Sequence, residues 1–312
     1  MKTQRIVILG GTGFVGRTLV PRLVADGHDI VLLSRNREAR RESAVTPGVT
    51  LLSADVYDKS VLKKHFRGAD TVINLIGILN ESGRNTFRRT HVELTRAILT
   101  ACRDSGVRRL HQMSSLKAGQ DLSAYLKTRG EAEGLVKGSE LEWTIYQPST
   151  IFGHGDGLVS RFAGLLHKLP LLPLARPNAK MAPVYVGDVA EAFARCIGDD
   201  GRSRRRTFEL YGRETLTLRE IVTKIRDTAG LHTRILPLPD SLGRLQAGFA
   251  QMLPGKPFSL DNFRSLGTDS VGRTDGLATL GIVPQSFSAW LPTLVRKPVR
   301  QRRLDDARAM RR

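Results

Sequence analysis

The sequence predicts an α/β fold, a doubly wound parallel sheet carrying a smaller C-terminal lobe, and three observations predict it. Apolar β-like segments alternate with amphipathic helical ones through roughly the first half of the chain. The first such segment runs directly into Gly10-Gly11-Thr12-Gly13-Phe14-Val15-Gly16, whose glycines recur every third residue at the start of a helix. After Ile151 the alternation gives way to short pieces broken by Gly153, Gly155, Gly157, Pro170, Pro173 and Pro177.

The expected strands are Arg5 to Leu9, Ile30 to Ser34, Val49 to Ser53, Thr71 to Ile76, Leu110 to Met113 and Trp143 to Tyr146. Between them lie helices with one apolar stripe, Leu19 and Leu23 in the first and Leu94, Ile98, Leu99 and Cys102 in the one after the fourth strand. Pro21 falls inside the first helix, where it removes a backbone hydrogen bond. Past Ile151, Val184-Tyr185-Val186 reads as a return to the main sheet, followed by a helix from Val189 to Ile197. Leu218 to Ala229 and Asp240 to Met252 read as two further amphipathic helices. These readings divide the chain into a dinucleotide-binding domain over 1–150, a lobe over 151–295 facing substrate or partner, and a basic tail over 296–312. No repeat or low-complexity linker separates the first two, so they are expected to fold as one cooperative unit.

The 312 residues suffice for one α/β core and a smaller lobe, and 40% hydrophobic with 25% charged residues is the composition of a water-soluble globular chain. No run of 18 apolar residues occurs, and Met1 leads into a strand without a charged-then-apolar leader, so neither a membrane span nor a signal peptide is expected. Cys102 and Cys196 both sit in apolar helical settings and the seven histidines lack ligand spacing, so neither disulfides nor a metal site is expected. A reducing cytoplasm fits this cysteine usage.

The net charge of +19 is concentrated in places. Arg296, Lys297, Arg300, Arg302, Arg303, Arg308, Arg311 and Arg312 crowd the tail against Asp305 and Asp306, and Arg202, Arg204, Arg205 and Arg206 form a second cluster. Two readings stand: solvated loops, or attraction to an anionic membrane surface or acidic protein partner. At about 1 kcal/mol per basic residue near a charged bilayer, the tail would hold the protein reversibly at the inner face of the membrane. Nucleic acid is not favoured, because the chain has no recognition-helix motif and no interleaving of aromatic and basic residues.

The glycine loop is a Rossmann-type nucleotide site in outline. Gly10 permits the turn, Gly13 lets backbone N–H groups approach a pyrophosphate beside Thr12, Phe14 and Val15, and Gly16 lets helix and strand pack closely. The second strand ends in Ser34-Arg35-Asn36, with Arg37, Arg40 and Arg41 close behind. An acidic residue there would bind a ribose 2′-hydroxyl, whereas Arg35 suits a 2′-phosphate, so NADP(H) is preferred and NAD(H) is the alternative. Asp55 and Val56, after the third strand, fit the adenine edge; Leu75, Ile76 and Gly77, at the end of the fourth, fit the wall of the adenosine pocket.

On these and further residues the chain resembles the atypical or extended short-chain dehydrogenase/reductases. Within them it resembles the branch that contains the nucleotide-binding accessory subunit of mitochondrial complex I. The matching segments are the loop Gly10 to Gly16, Ser114-Ser115-Leu116, Tyr125 with Glu131 downstream, Gln147-Pro148-Ser149-Thr150-Ile151-Phe152-Gly153, Val184-Tyr185-Val186-Gly187-Asp188-Val189-Ala190, and Leu280-Gly281-Ile282. The resemblance implies that Pro148, Ser149 and Thr150 lie near the nicotinamide end, although the family often has arginine where Gln147 stands. It also implies a structural use of NADPH, in an assembly or sensing role linked to complex I or quinone metabolism.

Reductases of this superfamily pair a tyrosine with a lysine four residues on, plus a serine. A free tyrosine has a pKa of about 10, so lowering it to neutrality takes roughly 4 kcal/mol, which the lysine charge helps to supply. Tyr125 stands at the start of the helix after the fifth strand and Ser115 matches the serine, but the fourth residue on is Arg129. Lys127, two residues on, projects from the other side of a helix. Arg129 keeps the charge and can bind a ribose, yet it does not relay a proton. Two readings follow. Ser115, Tyr125 and Arg129 form the catalytic set of an active NADP-dependent oxidoreductase or epimerase acting on a small or quinone-like substrate, or Tyr125 and Arg129 only pack the cofactor. His154 and Asp156 belong to a glycine-rich turn closed by the aspartate, and Asp188 is expected to cap the helix that follows it.

Overall fold

The computed structural model describes residues 2–34, 47–120, 123–199, 201–253 and 258–295. Seven strands form the central sheet: β1 (Arg5–Leu9), β2 (Asp29–Ser34), β3 (Val49–Ser53), β4 (Thr71–Asn74), β5 (Arg109–Met113), β6 (Glu142–Pro148) and β11 (Arg206–Leu210). Their spatial order is β11-β6-β5-β4-β1-β2-β3, and every neighbouring pair runs parallel. Strand order reverses between β1 and β4, the switch point at which such sheets open a crevice beyond their carboxyl ends.

Both faces of the sheet are buried, and the period of two in the strands sorts their residues between two cores. Ile6 and Ile8 of β1, with Ile30 and Leu32 of β2, join Leu19 and Leu23 of α1 (Phe14–Ala25) and Val189 and Phe193 of α6 (Val186–Ile197). Val7, Leu9, Val31 and Leu33 face the other way, toward Leu62 and Phe66 of α2 (Lys59–Phe66) and Leu94, Ile98 and Cys102 of α3 (Leu94–Ser105). Pro21 lies inside α1. A π-helical turn, Arg88–Glu93, leads into α3, and α4 (Ala124–Lys137) follows β5.

The return to the sheet is made elsewhere than expected. Among the described residues, Val184–Tyr185 (β10) pairs only with Ile151–Phe152 (β7) in a separate parallel ladder, and β11 is the strand that joins the sheet, at β6. Val186 already starts α6, so the apolar run there has no length left for a core strand.

The lobe adds α5 (Val159–Lys168), β8 (Leu171–Leu174), β9 (Lys180–Met181), β12 (Leu216–Thr217), α7 (Leu218–Thr228), β13 (Arg234–Pro237) and α8 (Asp240–Ala250). It ends in α9 (Leu260–Ser265), α10 (Gly276–Thr279) and α11 (Phe287–Val295). A third apolar core, built on Phe152, Leu172, Ile221, Val222, Ile225 and Phe287, holds it together. Leu277 and Ile282 pack instead into the core that holds Ile6 and Ile8, so the C-terminal part of the chain is stitched back onto the sheet. No helix of the described residues is long and apolar enough to cross a membrane. Cys102 and Cys196 are free, buried thiols, and burial raises them to about 12 and about 11 respectively.

Candidate nucleotide site

The glycine loop turns over the carboxyl end of β1. Gly10 adopts φ +79°, and a Cβ there would come within 3.1 Å of the Ile76 backbone nitrogen and Cγ1, so the loop rests directly on the wall that follows β4. The Gly13 N–H donates to the Gly10 carbonyl at 2.9 Å, and Gly13 then serves as the N-cap of α1 with no side chain over the helix end. A Cβ on Gly16 would lie 2.1 Å from the Gly11 oxygen, which only glycine avoids. The first-turn amides of α1 are thereby left open toward the crevice, the arrangement that receives a pyrophosphate. Phe14 reaches across to Gly153, whose Cβ position is 3.6 Å from the Phe14 ring, so the loop also touches the segment after β6.

Around the crevice, Asp55 is exposed at the end of β3, its carboxylate accepting from the Tyr57 N–H at 3.0 Å, while Val56 turns into the second core. Leu75 and Ile76 are half-buried, and Asn74 is fixed by a bond from its Nδ2 to Gln112 Oε1 at 3.1 Å. Arg35 and its neighbours Arg37, Arg40 and Arg41 lie outside the described residues, as does the tail 296–312.

The α4 segment brings the second group of expected residues together. Ser123 caps α4 by accepting from Leu126 N at 3.1 Å, and Asp261 of α9 accepts from the Ala124 and Tyr125 amides at 2.7 and 3.2 Å. A Cβ on Gly130 would meet Gly119 Cα at 2.2 Å, so α4 packs its backbone onto the loop after β5. This sets Arg129 deep in the site. Its Nη1 donates to the Met113 carbonyl at 3.0 Å, its guanidinium sits 5.5 Å from the Tyr125 ring centre, and Nη2 fills the place of a Gly77 side chain. Arg129 is 6% exposed, and its Nε has no hydrogen-bond partner. Among the described residues it makes no ion pair with a carboxylate.

The two serines after β5 divide their work. Ser114 Oγ donates to Glu133 Oε1 at 2.6 Å, whereas Ser115 Oγ is buried without a partner. A buried cation and a buried hydroxyl, each with an unused polar atom, are costly unless a ligand completes them. The ribose and carboxamide of a nicotinamide dinucleotide carry oxygens suited to that task, and the open amides of α1 suit its pyrophosphate. The residues present therefore fit the group.

Other expected residues are committed elsewhere. Ser149 Oγ donates to the Ser270 carbonyl at 2.8 Å and Thr150 Oγ1 contacts Met181 Sδ at 3.8 Å, while Pro148 is buried at the end of β6. Asp156 accepts from the Gly153, Val159 and Ser160 amides at 3.0, 2.8 and 3.2 Å, closing the glycine-rich turn. Asp188 does not cap α6. It stands in the first turn and accepts from Gln285 N at 2.8 Å, and Tyr185 is the N-cap residue. From within that first turn, its carboxylate reaches a crossing segment rather than the leading amides.

Three features escaped the sequence. His91, in the π-helical turn, packs edge-on to Tyr125 with ring centres 5.6 Å apart, and its Nδ1 pairs with Thr128 Oγ1 at 2.9 Å. Burial, assisted by the Arg129 charge, lowers it to about 2, so it is neutral. Glu133 gathers Ser114, Gln147 Nε2 at 2.7 Å and Lys137 Nζ at 3.0 Å beneath the site. Only the Ser-Ser and Gln-Pro motifs hinted at that buried carboxylate. A separate cavity of about 440 Å³ opens at the amino end of β11 against Arg22, Arg195 and Arg206, away from the crevice. Arg22 and Arg195 there already share Glu191 at 2.8 Å each.

The chain matches the NAD(P)H-binding family over residues 10–162. It is 30% identical over 295 residues to the mitochondrial NADH dehydrogenase [ubiquinone] 1 alpha subcomplex subunit 9 of Mus musculus, covering 89% of this chain and 76% of that protein. A ceramide reductase of Caulobacter vibrioides is 29% identical over 254 residues, covering 78% and 76%. In fold it is similar to an NADPH-dependent quinone oxidoreductase of Escherichia coli solved with NADPH, with a TM-score of 0.76 over 93% of this chain and all of that one, at 19% identity. The chain belongs to the same family of NAD(P)H-binding proteins as this mitochondrial NADH dehydrogenase subunit.

Proposed function

We propose that this protein holds NADP(H) in a structural, assembly or sensing role linked to respiratory complex I or quinone metabolism, and that it does not turn the cofactor over. The observation that carries this reading is Arg129: buried, one helical turn after Tyr125, and short of hydrogen-bond partners. A guanidinium at this place binds a ribose and fixes the Tyr125 ring, but it stays protonated and so does not pass protons. The family relationship to complex I subunits supports the same reading, and Arg35 supports the phosphorylated cofactor. Peripheral attachment at the inner face of the membrane, through the basic tail, completes it; the tail's charge also suits an acidic protein partner. Mass spectrometry of the nucleotide co-purifying with the protein tests the cofactor: NADP(H) is expected, and NAD(H) would overturn the preference. Arg35→Asp should weaken NADPH and leave NADH binding unchanged, whereas an equal loss for both would remove Arg35 from 2′-phosphate recognition.

A second reading, an active NADP-dependent oxidoreductase or epimerase, is favoured by the unpartnered Ser115 hydroxyl and by the ceramide reductase among the relatives. Tyr125 would then act as acid and base, Ser115 would polarise a carbonyl, and Arg129 would hold the ribose. Oxidation of NADPH by a panel of quinones, ceramide-type ketones or nucleotide sugars, abolished in Tyr125→Phe, would establish it.

A further inference from the structure

The cavity at the amino end of β11 lies on the opposite edge of the parallel sheet from the glycine loop, which follows the carboxyl end of β1. Four arginines, Arg22, Arg195, Arg202 and Arg206, line it with a single carboxylate residue, Asp199. The fold accounts for two of the four. Arg22 and Arg195 stand in the last turns of α1 and α6, where cations offset the helix carbonyls, and both pair with Glu191. Arg22 also pairs with Asp26, and Arg195 donates to the Leu280 and Gly281 carbonyls.

Arg202 and Arg206 are left over. Arg202 donates to the Asp199 carbonyl at 3.2 Å, and the Arg206 side chain has no partner among the described residues. Asp199 turns its carboxylate to the Gly201 amide at 2.9 Å, and Asp200 lies outside the described residues. The loop that carries the two arginines is pinned to the core. Arg205 N–H donates to the Trp143 carbonyl at 2.6 Å, Thr144 Oγ1 to the Ser203 carbonyl at 2.8 Å, and Ser203 Oγ to the Cys196 carbonyl at 3.1 Å. Ser203 lines the cavity, and behind it Arg109 donates to Ser203 Oγ at 2.8 Å, to Thr144 Oγ1 at 2.7 Å and to the Glu142 carbonyl at 2.6 Å. All three acceptors are uncharged, and Arg109 makes no ion pair among the described residues. A half-buried guanidinium on neutral acceptors, with two more at the rim that meet no carboxylate, favours an anion in the adjoining cavity.

We propose that this cavity is a second anion site, which takes a phosphomonoester group through Arg202 and Arg206. Guanidinium forks match phosphate oxygens, and a volume of about 440 Å³ leaves room for the carbon skeleton attached to the phosphate. The site is separate from the dinucleotide crevice and does not depend on the function proposed above.

The test is calorimetric titration of the full chain with inorganic phosphate and with glycerol 3-phosphate, each with and without NADPH. Both ligands should bind, and NADPH should not displace them. Combining Arg202→Ala with Arg206→Ala should weaken them at least about tenfold. The thermal midpoint without phosphate and the NADPH affinity should stay unchanged, since both side chains are exposed. Arg96→Ala, at an exposed position of α3 on the other face of the sheet, should have no effect. Vesicles containing phosphatidic acid form a further arm: binding of these alone, lost in the double variant, would identify the phosphate as a lipid headgroup. Binding of glycerol 3-phosphate, lost in the same variant, would identify it as that of a soluble compound. Unchanged affinity in the double variant, an equal loss in Arg96→Ala, or no binding in any arm would overturn the proposal.

Discussion

Arg129 concentrates the chemistry of the site in a single side chain. With one bond to the Met113 carbonyl and an idle Nε, its remaining donors are available to a ligand. Arg129→Ala should weaken NADPH binding by about 1.5–3 kcal/mol, roughly ten- to hundredfold, measured by cofactor fluorescence. Lys127→Ala, at an exposed position of the same helix, should leave it unchanged. His91 makes a prediction in pH. Its folded value of about 2 lies far below the ordinary histidine value, so between these limits the unfolded chain binds a proton that the folded one refuses. Stability is therefore unaffected above about pH 6.5 and falls as the pH drops through it, by about 2 kcal/mol at pH 5. His91→Asn should flatten the fall in thermal midpoint between pH 7 and pH 5 by that share. The approach of Arg129 to Tyr125 was legible because their spacing is local to one helix. His91 and Glu133 were not, since their partners come from α4, β5 and β6 and meet only in three dimensions.

At the scale of elements, the glycines separate into those that the fold requires and those that it tolerates. Gly16→Ala would drive a Cβ into the Gly11 oxygen and should abolish dinucleotide binding in a thermal-shift titration. Gly134, also in a helix, has nothing within 4 Å of its Cβ position, and Gly134→Ala should stabilise the protein by about 0.5–1 kcal/mol in denaturant melts. Asp156→Ala removes the acceptor of three backbone amides and should cost about 1–2 kcal/mol by the same measurement. The sheet strands of the first half were legible within one or two residues because strands buried on both faces are continuously apolar. Strand β11 was hidden: Arg206-Thr207-Phe208-Glu209-Leu210 buries only Phe208 and Leu210, and it follows a run of arginines that reads as a charged loop. The α8 helix was visible as amphipathic, but periodicity reports that a helix has two faces and not which of them the protein covers.

For the molecule as a whole, the shared core decides whether sheet and lobe unfold together. Leu277 and Ile282 enter the core around Ile6, and Ser149 is tied to Ser270, so separating the lobe exposes the sheet. The two tryptophans report on the two parts independently: Trp143 is buried on β6, and Trp290 stacks on Tyr185 in the lobe with ring centres 4.2 Å apart. Single-tryptophan variants, Trp143→Phe and Trp290→Phe, should give coincident denaturation profiles once each is normalised to its far-ultraviolet transition; a fluorescence midpoint displaced from that transition would show independent units. The fold class was legible at this scale, whereas the stitching was not, because a core shared by residues as far apart in sequence as Ile6 and Ile282 leaves no local pattern. The measurement that bears most directly on the central claim follows bound NADPH by absorbance and fluorescence in the presence of a soluble quinone. The expected result is saturable binding, a thermal midpoint that rises with NADPH concentration, and no loss of reduced cofactor. Sustained NADPH oxidation that disappears in Tyr125→Phe, or an absence of binding altogether, would contradict it.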